Sequence, residues 1–140
     1  MNTPPKVSFL IPARNRPIEL RAALASCITQ SLEAWEAVVV DDHSDTADLQ
    51  GLVAGFNDEH MRYTRLESGE HGVSAARNRA VALARSDRLV TLDSDDLLHD
   101  LERFEKAVQT YEHATGKSID DVLRTPTGIV IRNRGKQYAD

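Results

Sequence analysis

Three short apolar runs constrain this chain more than any other feature: "KVSFLIP" (6–12), "EAVVVDD" (36–42) and "RLVTL" (88–92). Each is nearly continuous in apolar residues, and each gives way on its C-terminal side to charged or polar ones. A strand with one wet face alternates apolar and polar positions, whereas a strand buried on both faces does not. These runs therefore predict buried strands, the first halted at Pro12. "MRYTRL" (61–66) predicts a further strand, more alternating than the others.

Between the strands the period changes. Leu20, Leu24, Cys27 and Ile28 fall at i, i+4, i+7 and i+8, one face of a helix that starts at Pro17, where a missing N–H costs nothing. Leu49, Leu52, Val53 and Phe56 mark a second helix. The turn "SGEHGVS" (68–74) leads into a third, with Ser74 as N-cap and Ala76, Ala80, Leu83 and Ala84 inside. Leu101, Phe104, Val108 and Tyr111 mark a fourth. After Ala114 the pattern weakens: "TGKSIDDVLRTPT" reads as loop and "GIVIRN" (128–133) as a late strand. The reading is residues 1–114 as one domain and 115–140 as a short C-terminal segment. Strand–helix alternation of this kind predicts an α/β fold, a mostly parallel sheet flanked by helices on both faces.

In such sheets ligands bind outside the carboxyl ends of the strands. The stretches to read for chemistry are thus "PARNR", "DDHSD" and "DSDD", which follow the first, second and fourth strands. All three are polar or charged, and all are expected at one edge, with Arg14, Arg16 and Arg77 nearby. The net charge of −5 argues against a general nucleic-acid binder. No apolar run approaches the roughly 20 residues of a membrane span, and "MNTPPKVSFLIP" lacks a signal peptide's apolar core. The expected location is cytoplasmic, with peripheral contact to the membrane left open. The single cysteine, Cys27, excludes an internal disulfide and reads as a packed helix residue. Neither a dinucleotide G-x-G-x-x-G after the first strand, a P-loop, nor a G-x-S-x-G elbow occurs.

What remains is acidic. Asp93, Asp95 and Asp96 crowd into four positions, where they repel one another unless a cation lies between them. Carboxylates suit a hard divalent ion that bridges to substrate phosphates. Solvated acidic loops are common, but this triplet directly follows a buried strand. Asp42 is read as functional, a carboxylate able to accept from a base or ribose, and Asp41 as structural; the alternative has one of them capping a helix near Thr46. His43, His71 and His99 are read as solvated loop residues, although His99 is near enough in sequence to reach a metal on Asp96. Trp35 is read as packing.

Together, "VSFLIPARNRPIELRAALASCITQSLEAWEAVVVDDHSD", "GVSAARNRAVALARSDRLVTLDSDD" and "LERFEKAVQTYE" resemble the family 2 glycosyltransferases, whose nucleotide-sugar domain has the Rossmann-like GT-A fold. The resemblance covers roughly the first 112 residues. It implies a metal-dependent enzyme, using Mn²⁺ or Mg²⁺, that moves a sugar from a UDP- or GDP-sugar to an acceptor. On it, Pro12, Arg14 and Asn15 match the nucleotide-pocket loop, and Asp42 the aspartate that contacts the base. Arg77 and Asn78 match the family's "ARN" beside the nucleotide; Asp93 and Asp95 match its D-x-D, with Asp96 as the further acid at the metal. Family members are usually longer, and "RTPTGIVIRNRG" resembles a later family strand arriving early, so 115–140 reads as a remnant of the acceptor region. No catalytic base is identified, Asp120 and Asp121 being the acids on hand. Two alternatives stand beside the enzyme: a nucleotide-sugar-binding module without turnover, and a receiver-like signalling domain, for which "ARNRAV" has no role.

Overall fold

The first apolar run forms β1 (Val7–Ala13), buried along its whole length. The computed structural model describes residues 4–31, 33–92, 122–124 and 129–131, and β1 lies near the middle of its sheet. The other strands are β2 (Trp35–Asp41), β3 (Met61–Arg65), β4 (Leu89–Thr91), β5 (Val122–Arg124) and β6 (Ile129–Ile131). Their order is β3-β2-β1-β4-β6-β5. The first four in that order run parallel, while β6 is antiparallel to both β4 and β5. A mostly parallel α/β sheet is thus present, as the continuous apolar runs require.

Pro12 does not halt β1. It pairs in register with Val40, inside the strand. The Leu10 carbonyl accepts from Leu92 N–H, so the even-numbered residues of β1 turn their polar groups toward β4. Pairing with β4 ends at Leu10, and a missing N–H two residues later deprives no partner. Proline is tolerated here because the neighbouring strand has already stopped.

Three helices are described: α1 (Pro17–Ile28), α2 (Leu49–Gly55) and α3 (Val73–Leu83). Alternate residues of each central strand serve opposite faces. Phe9, Ile11, Trp35, Ala37 and Val39 pack with Leu20, Ala23, Leu24 and Cys27 of α1 and with Leu49 and Val53 of α2. Leu10, Val38 and Val40 pack with Ala76, Ala80 and Val81 of α3, whose small side chains let the helix lie close. The chain steps from β1 to β2 to β3 in one direction, then returns through α3 to the far side of β1. Strand order therefore reverses between β1 and β4, the place where sheets of this kind hold ligands.

Several local expectations are corrected. Ile28 is 46% exposed and Ala23 is buried instead, because i+8 lies about 80° around the helix from Leu20. Asp48, not Asp41 or Asp42, caps α2 by accepting from Gly51 N–H at 2.9 Å. Ser74 is buried within the first turn of α3; Gly72 is its N-cap, at φ 97°, a conformation glycine adopts without strain. Val122–Arg124, in the stretch read as loop, is a strand, three residues being too few to show a period. The expected fourth helix lies outside the described residues, as do Asp120 and Asp121. No described helix is long and apolar enough to cross a membrane.

At the amino edge of the sheet, Glu36 is fully buried yet charged groups surround it. Its carboxylate accepts from Ser8 Oγ (2.6 Å), Arg85 N–H (2.6 Å), Arg62 (2.9 Å) and Arg85 Nε (3.1 Å). Arg62 also donates to the Leu83 carbonyl, so this cluster ties the end of α3 to β1, β2 and β3. Desolvation pushes the Glu36 carboxyl up, but the hydrogen bonds together outweigh it and hold the group below its ordinary range.

Cys27 faces the core, and burial pushes its thiol far up from its ordinary value. Since the thiolate is the reactive form, a disulfide reagent should leave the folded protein unmodified and label one thiol after denaturation. Rapid stoichiometric labelling of native protein would show that α1 opens readily.

Candidate functional site

The site is built where β1 and β2 end together. Asp42 N–H donates to the Ala13 carbonyl at 2.8 Å, continuing the β1–β2 ladder one step past the strands. This brings Pro12, Arg14, Asn15 and Asp42 to one edge. Arg14 is exposed and reaches the Asp42 carbonyl at 3.5 Å. Asn15 and Arg16 both adopt left-handed conformations, φ 54° and 56°, which turns the chain sharply from β1 into α1.

Asn15 holds the next loop. Its N–H donates to Ser44 Oγ (2.7 Å), its amide oxygen accepts from the N–H groups of Asp45 (3.2 Å) and Thr46 (2.9 Å), and its amide nitrogen donates to Asp45 (3.2 Å). The two polar loops are thereby fastened into one surface. Arg77 and Asn78 lie part-buried on α3.

The two adjacent aspartates have different fates. Asp41 is buried, and its carboxylate accepts from Ser44 N–H (2.9 Å), Tyr63 hydroxyl (2.6 Å) and Arg65 (3.3 Å). All its capacity goes into shaping the loop. Burial first, and then the bond to Asp41, push the Tyr63 hydroxyl up to about 12, so it remains a donor throughout the neutral range.

Asp42 is part-buried, and its Oδ2 accepts from Gly72 N–H at 3.2 Å, at the positive N-terminal end of α3. Its other oxygen, Oδ1, is buried and finds no hydrogen-bond donor among the described residues. A buried carboxylate oxygen without a donor costs about 1–3 kcal/mol, so native structures rarely keep one unless something else supplies the donor.

The turn before α3 completes the surface. Glu70 accepts from Arg79 (2.8 Å) and Glu67 N–H (3.3 Å), which hold its carboxyl below the ordinary range. The Glu70 carbonyl meets His43 Nε2 at 2.8 Å, and the rings of His43 and His71 lie 4.7 Å apart. This histidine pair and the Gly72 N–H were not legible as partners of Asp42 in the sequence; the glycines of "SGEHGVS" marked a turn without showing where it would land. Asp93, Asp95 and Asp96 lie outside the described residues. Leu92, just before them, is bonded to β1 at this same edge.

The model of the family described as "Glycosyl transferase family 2" matches residues 8–137. The chain belongs to that family. Among curated relatives, the poly(ribitol-phosphate) beta-N-acetylglucosaminyltransferase TarP of Staphylococcus aureus is 28% identical over 98 residues, covering 68% of this chain and 30% of TarP. The chain spans about a third of the length of the curated relatives it matches. The crystal structure of S. aureus TarS 1–349 in complex with UDP-GlcNAc superposes with a TM-score of 0.68 at 22% identity, over 89% of this chain and 44% of that one. The mannosyltransferase PcManGT of Pyrobaculum calidifontis, in complex with GDP-Man and Mn²⁺, gives a TM-score of 0.63 at 22% identity, over 77% and 32% of the two chains. These likenesses establish the GT-A type of fold for the family 2 chain.

Proposed function

We propose that this family 2 domain binds the donor of a glycosyltransferase, a UDP- or GDP-linked sugar, together with Mn²⁺ or Mg²⁺, for transfer to an acceptor. The observation that carries the reading is the buried, donorless Oδ1 of Asp42 at the carboxyl edge. An imide N–H of a nucleobase, or a ribose hydroxyl, would supply that oxygen with the hydrogen bond it lacks. Pro12, Arg14 and Asn15 form the floor and rim on one side, and Arg77 and Asn78 are assigned to the phosphate side on α3. Residues 1–114 are assigned to donor binding and 115–140 to the beginning of the acceptor region, in a protein acting at the cytoplasmic side.

Asp93, Asp95 and Asp96 are assigned to the metal, on the chemistry of their carboxylates. A hard cation neutralises their repulsion and, when bound, polarises the diphosphate leaving group. The named complexes with UDP-GlcNAc and with GDP-Man and Mn²⁺ support the same reading.

Thermal melts with Mn²⁺, with UDP or GDP, and with both test it. Metal and one nucleotide together should stabilise the domain by more than the sum of each alone, each ligand contributing about 2.7 kcal/mol at a hundredfold excess over its Kd. Asp95→Asn should abolish the synergy and leave the stability of the unliganded domain within about 0.5 kcal/mol of wild type, since the amide keeps the size of the side chain and removes only its charge. No synergy in the wild type would overturn the assignment of the triplet. Turnover of a UDP- or GDP-sugar then separates the enzyme from a binding module.

A further inference from the structure

The same edge holds a second set of metal-ligating groups, of a different chemical character from the acidic triplet. Asp42, His43 and His71 each offer one ligand atom, and these atoms lie within 4.8 Å of one another. We propose that these three residues form a binding site for a borderline transition-metal ion, Zn²⁺ above all, which takes the free oxygen of Asp42 and thereby closes the nucleotide pocket.

The donors match the ion. Imidazole nitrogen with a single carboxylate suits Zn²⁺, whereas Mg²⁺ and Mn²⁺ prefer oxygen alone. The surroundings of each donor match it as well. His43 Nε2 lies 2.8 Å from the Glu70 carbonyl, an acceptor, so Nε2 is the donor there and Nδ1 is the nitrogen that would face a metal. A metal-bound histidine characteristically has its other N–H fixed by such a carbonyl. Asp42 Oδ2 is held by Gly72 N–H while Oδ1 has no donor, so the carboxylate is oriented yet unsatisfied.

His43 is held at φ 59°, a left-handed conformation that histidine takes up more often than most residues and that glycine would adopt freely. Its ring is directed against that of His71 at 4.7 Å. Tetrahedral ligands at a Zn–N distance of about 2.0–2.1 Å lie roughly 3.3 Å apart, so the set contracts by at most about 1.5 Å on binding. His71 is exposed and supplies that movement by side-chain rotation. The fourth position is left to water.

The metal site stands on these three residues alone; the competition with nucleotide also rests on the proposed role of Asp42. The test separates the two. Untagged protein is titrated with Zn²⁺ against a chromophoric chelator, without nucleotide, and Co²⁺ is used as an optical probe of the ligand field. One Zn²⁺ per chain should bind, with Co²⁺ bands of a low-coordinate nitrogen–oxygen site. His71→Ala and His43→Gly should each weaken Zn²⁺ binding by more than roughly tenfold. Asp95→Asn should leave it unchanged. His43→Gly relieves the backbone rather than straining it, and His71 is on the surface, so both variants are expected to fold; retained circular dichroism checks this. Zinc binding that survives both histidine changes, or that disappears with Asp95→Asn, overturns the site. In a second arm, Zn²⁺ at saturation should raise the apparent Kd for UDP or GDP in the wild type but not in His71→Ala. Simultaneous, independent binding of zinc and nucleotide overturns the shared use of Asp42.

Discussion

Glu36→Ala is expected to lower stability by about 3 kcal/mol, the lower part of the range for removing one partner of a buried ion pair. The lower part applies because Arg62 and Arg85 are 34% and 47% exposed and can turn their guanidinium groups into water once the carboxylate is gone. Ser8 Oγ and Arg85 N–H lose their acceptor too. The melting temperature should fall by roughly 10 °C for a domain of this size. Nucleotide affinity, measured well below the transition, should change little, since Glu36 is at the opposite edge of the sheet from Asp42.

The same residue sets a pH dependence. Its folded carboxyl is held below the unfolded value, so its stabilisation is complete above an unfolded glutamate's value of about 4.3 and is lost as pH falls through the lower folded value. Wild type should therefore lose stability on acidification more steeply than Glu36→Gln. Parallel acid profiles, or an alanine variant as stable as wild type, would show that the cluster contributes no net stabilisation.

Asp42→Ala is expected to weaken UDP or GDP binding by about 2 kcal/mol, roughly thirtyfold, with little loss of stability. The asymmetry follows from the two carboxylate oxygens. Removing Oδ2 costs the bond from Gly72 N–H, while removing Oδ1 relieves a buried acceptor that has no donor. The two changes oppose one another in the free protein, whereas only loss is felt by a bound base. Isothermal calorimetry with a parallel melt checks this. Unchanged affinity with a lowered melting temperature would make Asp42 a structural residue and remove the support for the donor reading.

The neighbouring Asp41 shows how far sequence could go. "VVVDD" puts two identical side chains side by side, the first read as structural and the second as functional. What separates them physically is who reaches them. Asp41 meets Tyr63 and Arg65 from β3, whereas Asp42 meets a backbone N–H from the turn before α3. These three partners lie 22 to 30 residues away in sequence.

The residues by themselves determined the parallel sheet, because burial on both faces leaves no room for polar alternation and that pattern is local. They also determined that the polar stretches after β1 and β2 share one edge, since in a parallel sheet each buried run stops where charge begins. Local pattern failed where a neighbour decided the outcome. Pro12 remains in β1 because β4 has already ended beside it. Gly72 caps α3 in place of Ser74 through a backbone conformation that no side-chain oxygen announces. The site depended most on tertiary structure. Asn15 finds its partners in Ser44, Asp45 and Thr46, 29 to 31 residues away, and His43 finds Glu70 27 residues away. Bonds that close across two crossover helices leave no periodic trace in the chain, so the loops' residues could be named in advance but their pairing could not.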